Sequence, residues 1–384
     1  MSNNTTACAG PSNHFRSELE RRRHLESFRA LRRELRRQGY FDKDPVGVLA
    51  LLVMHCTLFL FGLTIFLIEH RLFMTVAATV MWGYGLTGIA ANTHSSSHYA
   101  TSKKRWVNRL LTYFGYPLAT GFSACYWWHK HIVLHHSHPN LIGHDVDIDW
   151  MPLFALTESD RSRAGRLGCW FYRCQVLLVP FAIAFNMTYG QWHSVRFLWH
   201  HMISNRDRRW AHWVDASCLL LHILVWIGIP MLFLPWTSVL GFYLLRNTVL
   251  GYTFFLLNAP SHYPAEAACF SHPQEDDFVL RQTSTTLNYR VGSIGRALCS
   301  GVEYQIEHHL FPAICHTRLP AVSRLVREYC EFHGYPYRTL SWSQALAKAI
   351  WAFHSPKRPE FAGTRESVSC NCLCLNTDAN YEEC

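Results

Sequence analysis

From Val46 to Ile68 the chain carries no charged residue, and at about 1.5 Å per residue a helix over this stretch crosses a bilayer. Glu69, His70 and Arg71 predict a tight polar turn, after which a second uncharged stretch from Leu72 to Asn92 returns. Three further apolar stretches follow, Trp170–Tyr189, Ala216–Leu234 and Trp236–Leu257, the last two joined by a hairpin turn at Leu234-Pro235-Trp236. Trp170–Tyr189 is the weakest of them: it holds Arg173 and runs into Arg196, Arg206, Arg208 and Arg209, so it is predicted to be interfacial or re-entrant. About four crossings result. Arg246, inside the last of them, requires a polar partner or an interior position. Ahead of the first span, the Arg-rich segment Arg16–Arg37 places Leu19, Leu25, Phe28, Leu31 and Leu35 at roughly helical spacing. It reads either as a basic helix on an anionic membrane face or as a solvated charged helix. Either way its arginines put the N-terminus in the cytoplasm.

Composition agrees with that pattern. Of 384 residues, 49% are hydrophobic, 14% aromatic and only 16% charged, too apolar a balance for an ordinary soluble enzyme. The expected fold is all-α: a multi-pass membrane protein with about four transmembrane helices and a cytosolic helical cap. The expected organisation is a basic segment over 1–44, a membrane domain over 45–340 and a cytosolic tail over 341–384. The 14 cysteines are scattered, several inside apolar runs, and no cleavable signal pattern opens the chain, which favours a reduced, cytosol-facing protein. Cys370, Cys372, Cys374 and Cys384 read as incidental thiols of a disordered tail, with metal binding or lipidation as alternatives. No nucleic-acid partner is expected.

The 24 histidines change the picture, because many fall in three clusters beside the apolar runs: His94 and His98; His131, His135 and His136; His308 and His309. If all three later apolar stretches crossed, the third cluster would face away from the other two, so parity also requires one of them not to cross. On a helix, residues four apart share a face, so His94 with His98 and His131 with His135 are each able to aim two imidazoles at one place. Adjacent histidines diverge by about 100 degrees around a helix, and the pairs His135–His136 and His308–His309 therefore suit two neighbouring metals. The alternative is a set of surface histidines at the headgroups. His129, His138, His144 and His316 read as outer or headgroup-facing residues. Asp145, Asp147 and Asp149 are candidates to hold ligating imidazoles by their other ring nitrogens, or else form a solvated acidic turn.

With these residues in view, the chain resembles the integral-membrane fatty acid desaturases, in particular the branch whose third histidine box begins with Gln. The motifs that carry the resemblance are Gln305-Ile-Glu-His308-His309-Leu310-Phe311-Pro312 and Trp128-His129-Lys130-His131-Ile132-Val133-Leu134-His135-His136, followed by Pro139-Asn140 and Gly143-His144-Asp145-Val146-Asp147. The match runs from about Pro45 to Tyr337. The resemblance implies two irons that activate dioxygen and remove two hydrogens from an acyl chain. It also implies a ligand set of His94, His98, His131, His135, His136, His262, His308 and His309, with Asn258 acting through water. Gln305 stands where other branches have His, as a ligand or as a residue that orients one. The implied substrate is a fatty acyl chain on coenzyme A, acyl carrier protein or a lipid. An unactivated methylene has neither an acidic proton nor a leaving group, so a metal oxidant is required. Trp82, Tyr84, Trp127, Trp128, Tyr252, Phe254 and Phe255 are candidates to line an apolar tunnel, or ordinary packing. No His-Pro-Gly-Gly haem motif, dinucleotide fingerprint or ferredoxin cysteine spacing is present, so electrons are expected from an external ferredoxin or cytochrome b5-type donor. Hydroxylation or acetylenation at a similar site is the nearest chemical alternative, and a non-catalytic membrane metal-binding protein the alternative from another class.

Overall fold

The computed structural model describes residues 18–204, 209–271 and 277–360. Four helices within it are long and apolar enough to cross a membrane: Pro45–Ile68, Leu72–Ser97, Trp210–Leu232 and Trp236–His262. Local chemistry sets the first boundary. Asp44 accepts from the Gly47 amide at 2.9 Å, and Pro45 occupies the first helical turn, where its missing N–H costs nothing. At the far end the Glu69 carboxylate accepts from the His70 and Arg71 amides, both at 3.0 Å, which closes the polar turn into the second span.

Spans one and two approach through glycines, as helices do where lipid offers no hydrophobic drive for association. A Cβ on Gly62 would sit 2.6 Å from the Trp82 amide nitrogen, and one on Gly85 2.4 Å from that of Phe59. The second and fourth spans extend beyond their apolar stretches, to Ser97 and His262. His94 and His262 therefore lie in final helical turns rather than past them. Hydropathy ends early there because Ser95, Ser96 and Ser97 are polar, yet all three are buried by the cap.

The weak apolar stretch is broken. Helices Arg166–Leu177 and Val179–Ile203 meet at 88° around Leu178, and Pro180 stands in the first turn of the second. Because the C-terminal ends of spans two and four meet at one place, the chain between them crosses an even number of times. Spans three and four supply both crossings, and the bent pair leaves on the side it enters.

Between the second span and the second histidine cluster, helix Arg105–Tyr113 continues into a wide-turned segment, Phe114–Thr120, that wedges among the spans. Its last carbonyls have no partner within the helix. His222 meets that of Leu118 at 2.9 Å, Gln191 donates to that of Thr120 at 2.8 Å, and Arg246 donates to that of Ala119. This wedge is the partner that Arg246 requires; its guanidinium also donates to Asn247 at 2.8 Å and lies 4.3 Å from the Trp226 ring centre. Gly121 ends the segment with φ of +76°, and a Cβ there would meet His222 at 2.7 Å.

Two expectations need correction. The basic helix, Glu18–Arg37, does not spend its apolar side on lipid: Phe28 and Leu35 are buried against Ile306, Leu310, Phe311, Val322 and Val326 of the cap, leaving Arg29, Arg32, Arg33, Arg36 and Arg37 outward. The chain beyond 340 is not a tail through residue 360. Helix Trp342–Trp351 packs on the fourth span, with Trp342 donating to the Leu256 carbonyl at 3.0 Å, and Phe353 is buried beside Tyr263. The fold is all-α as expected, with one small addition: Asn288–Arg290 and Thr339–Ser341 pair as two short parallel strands. Cys370, Cys372, Cys374 and Cys384 lie outside the described residues.

Span four leans on helix Val179–Trp199 at Gly251, where a Cβ would fall 2.1 Å from the Ile183 carbonyl oxygen, whereas Gly241 of the same span has nothing within 4 Å. Gly251→Leu is expected to destabilise the protein by about 1–3 kcal/mol, and Gly241→Leu by far less. Thermal unfolding in detergent reads the difference, and equal midpoints would show that this contact does not hold the two helices together.

Candidate metal centre

Four separate stretches deliver histidines to one end of the span bundle. His94 and His98 come from the end of span two, His262 from the end of span four, and His308 and His309 from the short helix Gln305–Leu310. His131, His135 and His136 come from a helical segment, Trp128–His135, wound wider than an α-helix. Its hydrogen bond from the His136 amide to the His131 carbonyl, 2.9 Å, spans five residues instead of four.

The imidazoles form two groups. His94, His98, His131, His136 and His308 make the first, and His135, His262 and His309 the second, with the ligating nitrogens of each group within 4.8 Å of one another. Adjacent histidines separate as their divergence predicts: His135 and His136 go to different groups, as do His308 and His309. The grouping inside the second cluster differs from α-helical expectation. His131 joins His136 because the widened turn brings the residue five positions on toward the same side, while His135, which belongs to the other group, still meets His131 in a further set with Asp147.

The facing atoms are consistently Nε2. His94 and His131 stand 2.7 Å apart at these atoms, His94 and His98 3.2 Å, His131 and His136 3.1 Å, and His136 and His308 3.0 Å. In the second group His135 and His309 are 3.3 Å apart, and the buried His262 Nε2 has no hydrogen-bond partner. At a metal–imidazole distance of about 2.1 Å, two nitrogens at right angles stand about 3.0 Å apart. The residues therefore fit a metal pair: nitrogen donors converge at coordination spacing, from a dry setting that favours the neutral ring.

Burial first, then repulsion among the rings, holds His98, His131, His136, His308 and His309 well below the ordinary histidine range. His135 behaves oppositely. Burial is the largest single influence and works against its charged form, but the Asp145 and Asp147 carboxylates together outweigh it and raise the ring. Asp145, wholly buried, meets His135 Nδ1 at 3.0 Å and accepts from the Asn140 amide at 2.8 Å. Asp147 lies 3.4 Å from the same ring nitrogen and pairs with Lys130. Asp149 takes no such part; it is exposed and accepts from the Met151 amide.

The remaining candidates sit as follows. Gln305 is 4% exposed, and its buried Oε1 has no partner. Asn258 lies one turn before His262 but is exposed, its amide donating to the Phe254 carbonyl at 2.9 Å. His316 meets the Ser95 hydroxyl at 2.8 Å through Nδ1 and stays outside both groups, as do His129, His138 and His144. Of the seven aromatic candidates, Trp127 touches the centre, stacking on His131 at 4.4 Å, while Phe255 packs with Tyr263 and Phe353, and Tyr252 bonds the Pro180 carbonyl on the surface.

Sequence reasoning missed Gln282, Lys130 as a salt-bridge partner, and the role of Asn140. Asn140 adopts φ of +53°, and its amide donates to the carbonyls of His262, Ala268 and Thr285 at 3.0–3.1 Å, binding the second and fourth stretches together. An Asn in a turn after histidines was the available signal, since Asn tolerates the left-handed region.

The fatty acid desaturase family profile matches residues 70–341, most of the chain. The chain belongs to the fatty acid desaturase family. This desaturase is 30% identical over 319 residues to a Delta(8)-fatty-acid desaturase of Euglena gracilis, a match covering 82% of this chain and 74% of the relative. It is 29% identical over 348 residues to the sn-1 linoleoyl-lipid 6-desaturase of Arthrospira platensis, covering 85% of this chain and 88% of the relative. A Delta(8)-fatty-acid desaturase of Arabidopsis thaliana is 27% identical over 352 residues, covering 86% and 74%.

A pH dependence follows from the depressed rings. The unfolded chain takes up protons on them near the ordinary value of about 6.5, while the folded, metal-free desaturase does not. Below that pH the unfolded state binds more protons, so metal-free stability is lost as pH falls. Each of the five rings contributes at most about 1.4 kcal/mol per pH unit, partly offset by His135, whose shift has the opposite sign. The unfolding midpoint of the metal-free protein is expected to be lower at about pH 5.5 than at about pH 7.5. An unchanged or higher midpoint at the acid pH would contradict a buried, neutral cage.

Proposed function

We propose that this protein introduces a double bond into a fatty acyl chain at two irons, with dioxygen as co-substrate. Electrons come from an external ferredoxin or cytochrome b5-type donor. The first iron is held by His94, His98, His131, His136 and His308. The second is held by His135, His262 and His309, with Gln305 and, through water, Asn258 completing it. The observation that carries the reading is the convergence of eight imidazoles in two groups at the ends of the membrane spans. Bound there, the irons supply the oxidising power that an unactivated methylene demands.

The chain's own residues do the rest. Burial keeps the ring nitrogens neutral and free to donate lone pairs, and the Asp145 carboxylate fixes His135 with its Nε2 toward the second group. The cap, sealed by Phe28 and Leu35 against Phe311, limits the access of water from that side. The arginines of helix Glu18–Arg37 support a cytoplasmic location for this face and for both termini. The relatives' names, a 6-desaturase and two Delta(8) enzymes, support a double bond placed toward the carboxyl end of the chain.

The test is expression in a host of defined lipid profile supplied with an active donor, followed by mass spectrometry that locates new double bonds by position and by lipid class. A new unsaturated chain is expected from the unaltered protein. His308→Ala and His135→Ala are each expected to reduce it at least about 100-fold. An unchanged profile from the expressed, folded protein would overturn the enzyme reading, and full activity in either variant would overturn the ligand set.

A further inference from the structure

Gln282 is wholly buried in helix Phe278–Thr285, away from the histidine clusters in sequence, and each end of its amide is committed. Its Oε1 accepts from His309 Nδ1 at 2.9 Å, and its Nε2 donates to the main-chain carbonyl of His136 at 2.9 Å. His309 belongs to the group of three and His136 to the group of five. We infer that Gln282 is a positioning residue that fixes His309 for metal binding and ties the second centre to the backbone of the first. This rests on the metal-pair reading above.

The amide leaves little freedom of assignment. A main-chain carbonyl only accepts, so the Gln282 atom facing His136 is the NH2 group and the atom facing His309 is the oxygen. That oxygen in turn only accepts, so the proton of His309 lies on Nδ1 and Nε2 keeps its lone pair for the metal. One side chain thereby sets both the ring's tautomer and its distance from the turn that carries His136. The helix supporting it is itself anchored: Asp277 caps its first turn at the Leu280 amide, 3.0 Å, and accepts from Tyr335 at 3.0 Å.

The contrast with His135 gives the residue its meaning. His135 is backed by the Asp145 carboxylate at 3.0 Å, and His309 by a neutral amide at 2.9 Å. An anionic acceptor makes an imidazole a stronger donor than a neutral one does. Within one group, then, the two rings differ in basicity, and Gln282 holds the weaker without adding charge.

The experiment compares unaltered protein, Gln282→Leu and Gln282→Glu, purified and reloaded with isotope-enriched iron. It reads metal content, metal affinity, the Mössbauer spectrum and the metal-free unfolding midpoint. Gln282→Leu is expected to weaken binding of one iron about 10–100-fold, so that content falls from two toward one while the first centre's signal stays. Gln282→Glu keeps an acceptor for His309 and is expected to restore the second iron with the signal of that one site shifted. Two irons at unaltered affinity in Gln282→Leu, or parallel loss of both, would overturn the inference. If Gln282→Leu does not fold, Gln282→Glu decides alone: two irons with one altered signal support the assignment, and two unaltered signals overturn it. Fewer than two irons in the unaltered protein would overturn the metal-pair reading itself, and the inference with it.

Discussion

Everything in this molecule answers to one demand: imidazoles from four distant stretches must meet within about 3 Å of one another, away from water. Rings placed so close repel one another when protonated, and burial removes the solvent that would support charge. The neutral form wins on both counts, except at His135, where the neighbouring carboxylates favour the charged ring. Convergence also dictates topology. Because His94 and His262 close the second and fourth spans, those helices must end on one side and outlast their apolar stretches. The bent helix pair must then return to the side it leaves.

The same demand accounts for the polar material around the clusters. Asp145 and Gln282 orient rings from behind, Asn140 binds three carbonyls of neighbouring stretches, and Ser95 meets His316. None of these is able to work in isolation, since a buried polar group without a partner costs about 1–3 kcal/mol. The intramembrane cluster follows the same rule at a different place. The wedge Phe114–Thr120 exposes carbonyls among the spans, and Arg246, His222 and Gln191 meet them there. An arginine that looks costly in the sequence is what allows a helix to end inside the bundle.

What the sequence made legible was local. Charge-free stretches announced the spans, and arginines around Trp170–Tyr189 marked the one that does not cross alone. Histidine spacing marked the clusters, and neighbouring pairs marked two sites, since divergence of adjacent side chains depends on helical geometry alone. The pairing of His131 with His136 escaped because one extra residue in a turn leaves no trace in composition. Gln282 escaped because its partners, His136 and His309, lie far along the chain, and a lone glutamine carries no spacing signal. Amphipathicity in Glu18–Arg37 was visible, but an apolar stripe does not say whether lipid or protein covers it. Helix Trp342–Trp351 carries no charge-free stretch long enough to announce a span, and its packing on the fourth span leaves no local signal in the sequence.

The two groups are unequal, and the inequality bears on Gln305. Five imidazoles nearly fill the positions of a six-coordinate metal, whereas three leave room for other donors. Gln305 stands one helical turn before His309, and Asn258 one turn before His262, so both amides share a helix face with a histidine of the smaller group. Gln305 brings a buried oxygen without a hydrogen-bond partner among the described residues to that face. The larger group is thus nearly complete in imidazoles, and the smaller is the one with room for a further donor.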